Sequence, residues 1–131
     1  MTILVGVGIN FGTDAIKKAK LEDIKTDMIS IKTRAKIIAE ESNFNGSEIS
    51  ALPGVQATDE ELNIIGLQNL SNDDKQKVRK WNDEALQSQG LSTIEGDKYV
   101  VKYDLDNPND CEVYYLEGYD GSYSLSALQE K

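Results

Sequence analysis

Three groups of residues in this chain have types and spacings that could do chemistry. The first is Gly6, Gly8 and Gly12 in "ILVGVGINFG", which follow an apolar run and precede a helical segment, the order that a phosphate-cradling turn requires. A dinucleotide fingerprint is G-x-G-x-x-G between a strand and a helix, followed by a second parallel strand that ends in an acid for the ribose. Here the spacing is G-x-G-x-x-x-G, one residue too long, and the chain after the helix enters a polar loop at Ser42. No NAD or ATP site is expected. The second group is "DLDNPNDCE", where Asp104, Asp106 and Asp110 occupy the first, third and seventh positions of a calcium loop. Asn109 stands where the turn glycine belongs and Tyr115 where the bidentate glutamate belongs, so the reading favoured is a solvated turn. The third is Cys111, the single cysteine, which can form neither an internal disulfide nor a cysteine-rich zinc site. A small packed strand residue is the favoured reading, and a reactive thiol the other.

Composition narrows the chemistry further. There is no histidine, which removes the usual proton-transfer group near neutral pH and the commonest metal ligand. Serine-histidine and cysteine-histidine catalysis are thereby excluded. With Asp+Glu 23 against Lys+Arg 14, the net charge of −9 repels a phosphate backbone, so nucleic acid is not an expected partner. No pair of carboxylates stands out as an acid and a base. The chain reads as a non-enzyme with no cofactor and no metal.

The elements that would position any site follow from periodicity. From Asp14 to Glu41 there is no Gly or Pro, and Leu21, Ile24, Met28, Ile31, Ala35 and Ile38 recur at spacings of three and four. This is one amphipathic helix with its lysines mostly off the stripe. At 1.5 Å per residue it is about 40 Å long, more than a domain this size needs to cover its core. Residues 42–54, rich in Ser, Asn and Gly, form a loop. Thr58 and Glu61 make a helix-start signature for a short helix over Glu60–Leu67. A further helix is predicted from Ser71 to Gly90, with Val78, Trp81, Ala85 and Leu86 on one side and Trp81 as a core anchor. Beyond Gly90, "LSTIE", "KYVVKYD", "CEVYYLE" and "SYSLS" read as the strands of a small antiparallel meander. Tyr99, Val101 and Tyr103 share one face of their strand, as do Cys111, Val113 and Tyr115. Tyrosines covering a thin sheet are preferred to a carbohydrate or base-stacking platform. The fold class expected is α+β, a long N-terminal helix on a small antiparallel sheet with two short helices between.

The opening run contains neither a complete signal peptide nor a complete membrane span. With "DAIKKAKLEDIKTDMISIKTRAKIIAEES", "ILVGVGINFG" resembles the type IV pilin-like proteins of Gram-positive bacteria, in which an apolar helix passes without interruption into an amphipathic one. "EVYYLEGYDGSYSLSAL", a strand, a glycine turn and a second strand, is similar to the end of such proteins. The family's leader cleavage site and N-terminal acidic residue are not in the sequence, so the resemblance implies a chain cut at its N-terminus. It implies one pilin-like domain over 1–131: an apolar helix remnant at 1–13, the amphipathic helix at 14–41, loop and short helices at 42–90 and the meander at 91–131. It also implies a structural subunit of a surface filament or secretion pseudopilus, mechanical and adhesive in role, that assembles with other pilin-like subunits and sits in the membrane or at the cell surface. Ile3, Leu4, Val5, Val7, Ile9 and Phe11 would form the assembly interface. The rival is a soluble, cytoplasmic interaction module whose apolar N-terminus folds back as an edge strand of the sheet.

Overall fold

The computed structural model describes the backbone of residues 2–45, 52–119 and 121–130, and within the first helix the side chains of 18–41. Helix α1 runs from Thr2 to Asn45. It then exceeds the predicted helix at both ends. Ser42–Asn45, expected in the loop, continue it, because the first Gly or Pro after Gly12 is Gly46. The opening residues are helical and do not form an edge strand.

After α1 come β1 (Val55–Gln56), α2 (Asp59–Ile64), α3 (Asn72–Gln76), β2 (Val78–Lys80), α4 (Asp83–Ser88) and β3 (Tyr99–Lys102). A 3-10 turn at Pro108–Asp110 leads to β4 (Glu112–Tyr119), β5 (Ser122–Ser124) and the terminal helix α5 (Leu125–Gln129). The class is α+β, with a long N-terminal helix and a five-stranded antiparallel sheet in the order β1-β2-β3-β4-β5.

Three predicted elements are corrected. The helix from Ser71 to Gly90 is instead α3, β2 and α4. Ser71 caps α3 as its sequence suggests, with its hydroxyl accepting from the Asp74 N–H. Val78–Lys80, however, pair with Lys102–Val100 and with β1, and Asn82 starts a new helix by accepting from the Ala85 N–H at 3.0 Å. A strand pairing and a second N-cap thus override a continuous helical pattern. "LSTIE" is not a strand; Ile94 is nevertheless buried against the core. Lastly, "SYSLS" gives only three strand residues before Ser124 caps α5, accepting from the Ala127 N–H at 3.1 Å. The chain therefore ends in a helix. The α2 start stands as read: Thr58 and Glu61 form a reciprocal capping box.

Alternation along the strands gives the sheet two buried faces. Tyr99, Val101, Tyr103, Cys111, Val113 and Tyr115 face α1, together with Trp81, Leu86, Leu125 and Leu128. The stripe on α1 is Leu21, Ile24, Met28, Ile31, Ala35 and Ala39, all buried; Ile38, expected to end it, is only half-buried. Val78, Val100, Ala57, Leu62 and Ile65 form a smaller cluster on the opposite face, under α2. At the end of β4, Gly118 adopts φ +71 and a Cβ there would lie 2.6 Å from the Tyr123 ring, so the irregular β4–β5 register depends on a glycine.

Candidate functional site

The residues named from sequence as chemically capable are placed by the fold as follows. Gly6, Gly8 and Gly12 lie inside α1, not in a turn between a strand and a helix. The backbone of Ile3, Leu4, Val5, Val7, Ile9 and Phe11 is also in α1, while their side chains lie outside the described residues. Just downstream, where the described side chains begin, Lys18, Ala19 and Lys20 are all exposed and Leu21 is the first buried residue.

Around the 104–110 turn, the Asp104 carboxylate accepts from the Asn107 N–H at 2.9 Å, so it closes its own turn. The groove beside it is lined by Lys77 and Lys102 as well as by Asp74, Asp106 and Asp110, and cations among the acids already supply the counter-charge. Among the described residues no group of three or more acids or cysteines is arranged to hold a metal ion. Cys111 is fully buried immediately before β4, where its sulfur accepts from the Asp104 N–H at 3.3 Å. Burial pushes its thiol pKa up, against that hydrogen bond, which keeps it protonated and a poor nucleophile.

The tyrosines form the best-defined polar constellation in the core. Tyr99 and Tyr115 are register partners on β3 and β4, with ring centroids 5.4 Å apart. The Tyr99 hydroxyl donates to Asp27 Oδ2 at 3.3 Å, and the Tyr115 hydroxyl donates to Glu117 Oε2 at 2.5 Å. Lys98 Nζ completes the row at 2.6 Å from Glu117 Oε1. Burial, then the adjoining carboxylates, hold the Tyr99 hydroxyl far above its ordinary range and that of Tyr115 at about 12. Both stay neutral donors at physiological pH. Tyr103 is 2 % exposed and accepts from Trp81 Nε1 at 3.0 Å while donating to the Pro53 carbonyl at 3.3 Å. Tyr99, Tyr103 and Tyr115 are thus core rings with no open face for a sugar or base.

Sequence reasoning missed two long-range polar ties. Arg34 on α1 donates from Nε and Nη2 to Gln89 Oε1 at 3.2 and 3.1 Å, fixing the helix to the end of α4. Lys80 on β2 pairs with Glu61 on α2 at 2.8 Å. Neither pair is close in sequence, and no local pattern signals them.

Compared with known proteins, the chain matches no family model, no curated protein and no solved structure. The functional reading therefore rests on the residues and on α1.

Proposed function

We propose that this chain is a non-enzymatic structural subunit of a type IV pilus-like filament or secretion pseudopilus, assembling through α1 with other pilin-like subunits at the cell surface. The observation that supports this reading is how far α1 extends beyond the stripe described as buried on it. Its 44 residues make a rod of about 66 Å at 1.5 Å per residue, whereas the buried stripe from Leu21 to Ala39 spans only about 27 Å. Among the described side chains Lys18, Ala19 and Lys20, which precede Leu21, are exposed, and the apolar run Ile3–Phe11 lies further out along the same helix. An apolar helix end of this kind is stable when neighbouring subunits or lipid bury it. Glycines at 6, 8 and 12 suit that setting, because they let helices approach closely.

The test is deletion of Met1–Phe11. Self-association and detergent binding should fall while the melting temperature moves by less than about 3 °C, since the buried stripe described on α1, Leu21 to Ala39, lies outside the deleted segment. A chain whose stability drops by several kcal/mol on deletion, with no change in association, would be an interaction module instead.

A further inference from the structure

We propose that the groove between α1 and α5 docks a second copy of this chain, which presents the α2 side of its own sheet. The inference rests on the filament reading and names the head-to-head surfaces such a subunit would use.

The first surface is a basic flank. Lys18, Lys25 and Lys32 recur every seven residues on α1 and Lys36 follows, so all four lie along one side of the buried stripe. Ile29 sits among them and is 46 % exposed, uncommon for a large apolar side chain in this molecule. Lys32, Lys36 and Ile29 line a shallow groove whose far wall is Leu125 and Gln129 of α5. Lys25 is tied to Glu22 at 3.4 Å, but Lys36 has no ion-pair partner among the described residues.

The second surface has the same make-up with the opposite sign. Asp59 and Glu60 line a groove with Asn63 and Gln68, and Ile64, one turn beyond Glu60, is again 46 % exposed. Asp59 meets Lys75 at 3.2 Å, while Glu60 has no ion-pair partner among the described residues. Each surface thus offers one exposed isoleucine and at least one charge without an ion-pair partner among the described residues, Lys32 and Lys36 on the first and Glu60 on the second, and these charges are complementary.

The sheet separates them. The α1 stripe packs on the face of Tyr99 and Val101, and Leu62 of α2 packs on the face of Val100. A contact joining unlike surfaces is head-to-tail: one copy of a pair keeps its α2 side unused and the other its basic flank, so the contact repeats into a ring or an open chain. At an ionic strength of about 0.1 M the net charge of −9 is screened beyond roughly 10 Å, whereas ion pairs in contact persist.

The experiment uses the full chain and two charge-reversed variants, Lys32→Glu with Lys36→Glu, and Asp59→Lys with Glu60→Lys, in sedimentation velocity. Each variant alone should associate at least about tenfold more weakly than the parent. Mixed in equal amounts they should associate again, because the reversed flank of one meets the reversed α2 side of the other. A variant that had merely misfolded would not be rescued by mixing. Parental association in either variant, or a mixture that stays dissociated, would overturn the inference. If association is lost on deleting Met1–Phe11 but ignores the charge reversals, the filament reading stands and this surface does not. A parent chain that stays monomeric throughout overturns both.

Discussion

The two faces of the sheet are closed by different physics. On the α1 face, Met28, Ile31, Ala35, Trp81, Val101, Val113 and Leu128 are all fully buried, and burial of apolar area does the stabilising. On the α2 face the buried cluster described is Ala57, Leu62, Ile65, Val78 and Val100, with Leu67, Leu70, Tyr114, Leu116 and Tyr123 only half-buried against it, and its rim carries the Lys80–Glu61 pair and the Thr58–Glu61 capping box. A thick apolar layer needs little help from charge. A thin one leans on a single carboxylate that acts twice, as cap and as ion-pair partner.

The largest effect should come from the thick face. Ile31→Ala is expected to cost about 2–4 kcal/mol in chemical denaturation, as a truncation inside close packing. A loss within about 0.5 kcal/mol would place Ile31 at a surface and dissolve the contrast. Leu62→Ala should cost about 2 kcal/mol, nearer the lower end, because a cluster with few members can partly collapse around the gap. Combined across the sheet, the two changes should add within about 0.5 kcal/mol if the faces are independent.

Glu61→Gln should cost about 1 kcal/mol at neutral pH and should also change the pH profile. Burial opposes the charged form of Glu61, but hydrogen bonds from Lys80 and Thr58 outweigh it and hold the carboxyl below its usual range. A depressed carboxylate stabilises the fold above its unfolded pKa, and that stability is lost as pH falls through the lowered folded value. The glutamine variant should lack this acid-side loss. Asp27 on the thick face has the opposite sign. Burial raises its pKa, the Tyr99 hydrogen bond only partly offsets this, and Asp23 adds to it. Its ionisation therefore penalises the fold as pH rises through the raised value. Asp27→Asn keeps an acceptor for Tyr99, so at neutral pH it should change stability by no more than about 0.5 kcal/mol in either direction while removing that slope. Titration of stability from acid to neutral pH in both variants checks the pair of signs.

What could be read from sequence divides along the same line. The α1 stripe is a periodic signal repeated over five turns, and the alternation at Tyr99–Tyr103 and Cys111–Tyr115 names the residues that meet it. The α2 start was legible because a capping box is local chemistry. Residues 71–90 misled because Val78, Trp81 and Leu86 fit a helical spacing although Val78 and Trp81 point to opposite faces of a strand region. What decided the matter was pairing with Val100–Lys102, about twenty residues away, which no window of local pattern contains. The edge strand Val55–Gln56 is only two residues long and carries no period at all. For the candidate surfaces, the lysines on α1 were visible only as falling off the stripe, and their relation to Asp59 and Glu60 required the topology of the sheet.

The order of the chain also has a consequence for its biosynthesis. The strands of the meander each pair with a neighbour made shortly before, but the stripe on α1 is covered by segments made last: Tyr99 meets Asp27 across a separation of 72 residues, and α5 follows later still. At translation rates of about 5–20 residues per second, that helix leaves the ribosome roughly 4–14 seconds before β3 exists to cover it. Throughout that interval Met28, Ile31 and Ala35 stay open to water, and it is β3, β4 and α5, the last bringing Leu125 and Leu128, that cover them.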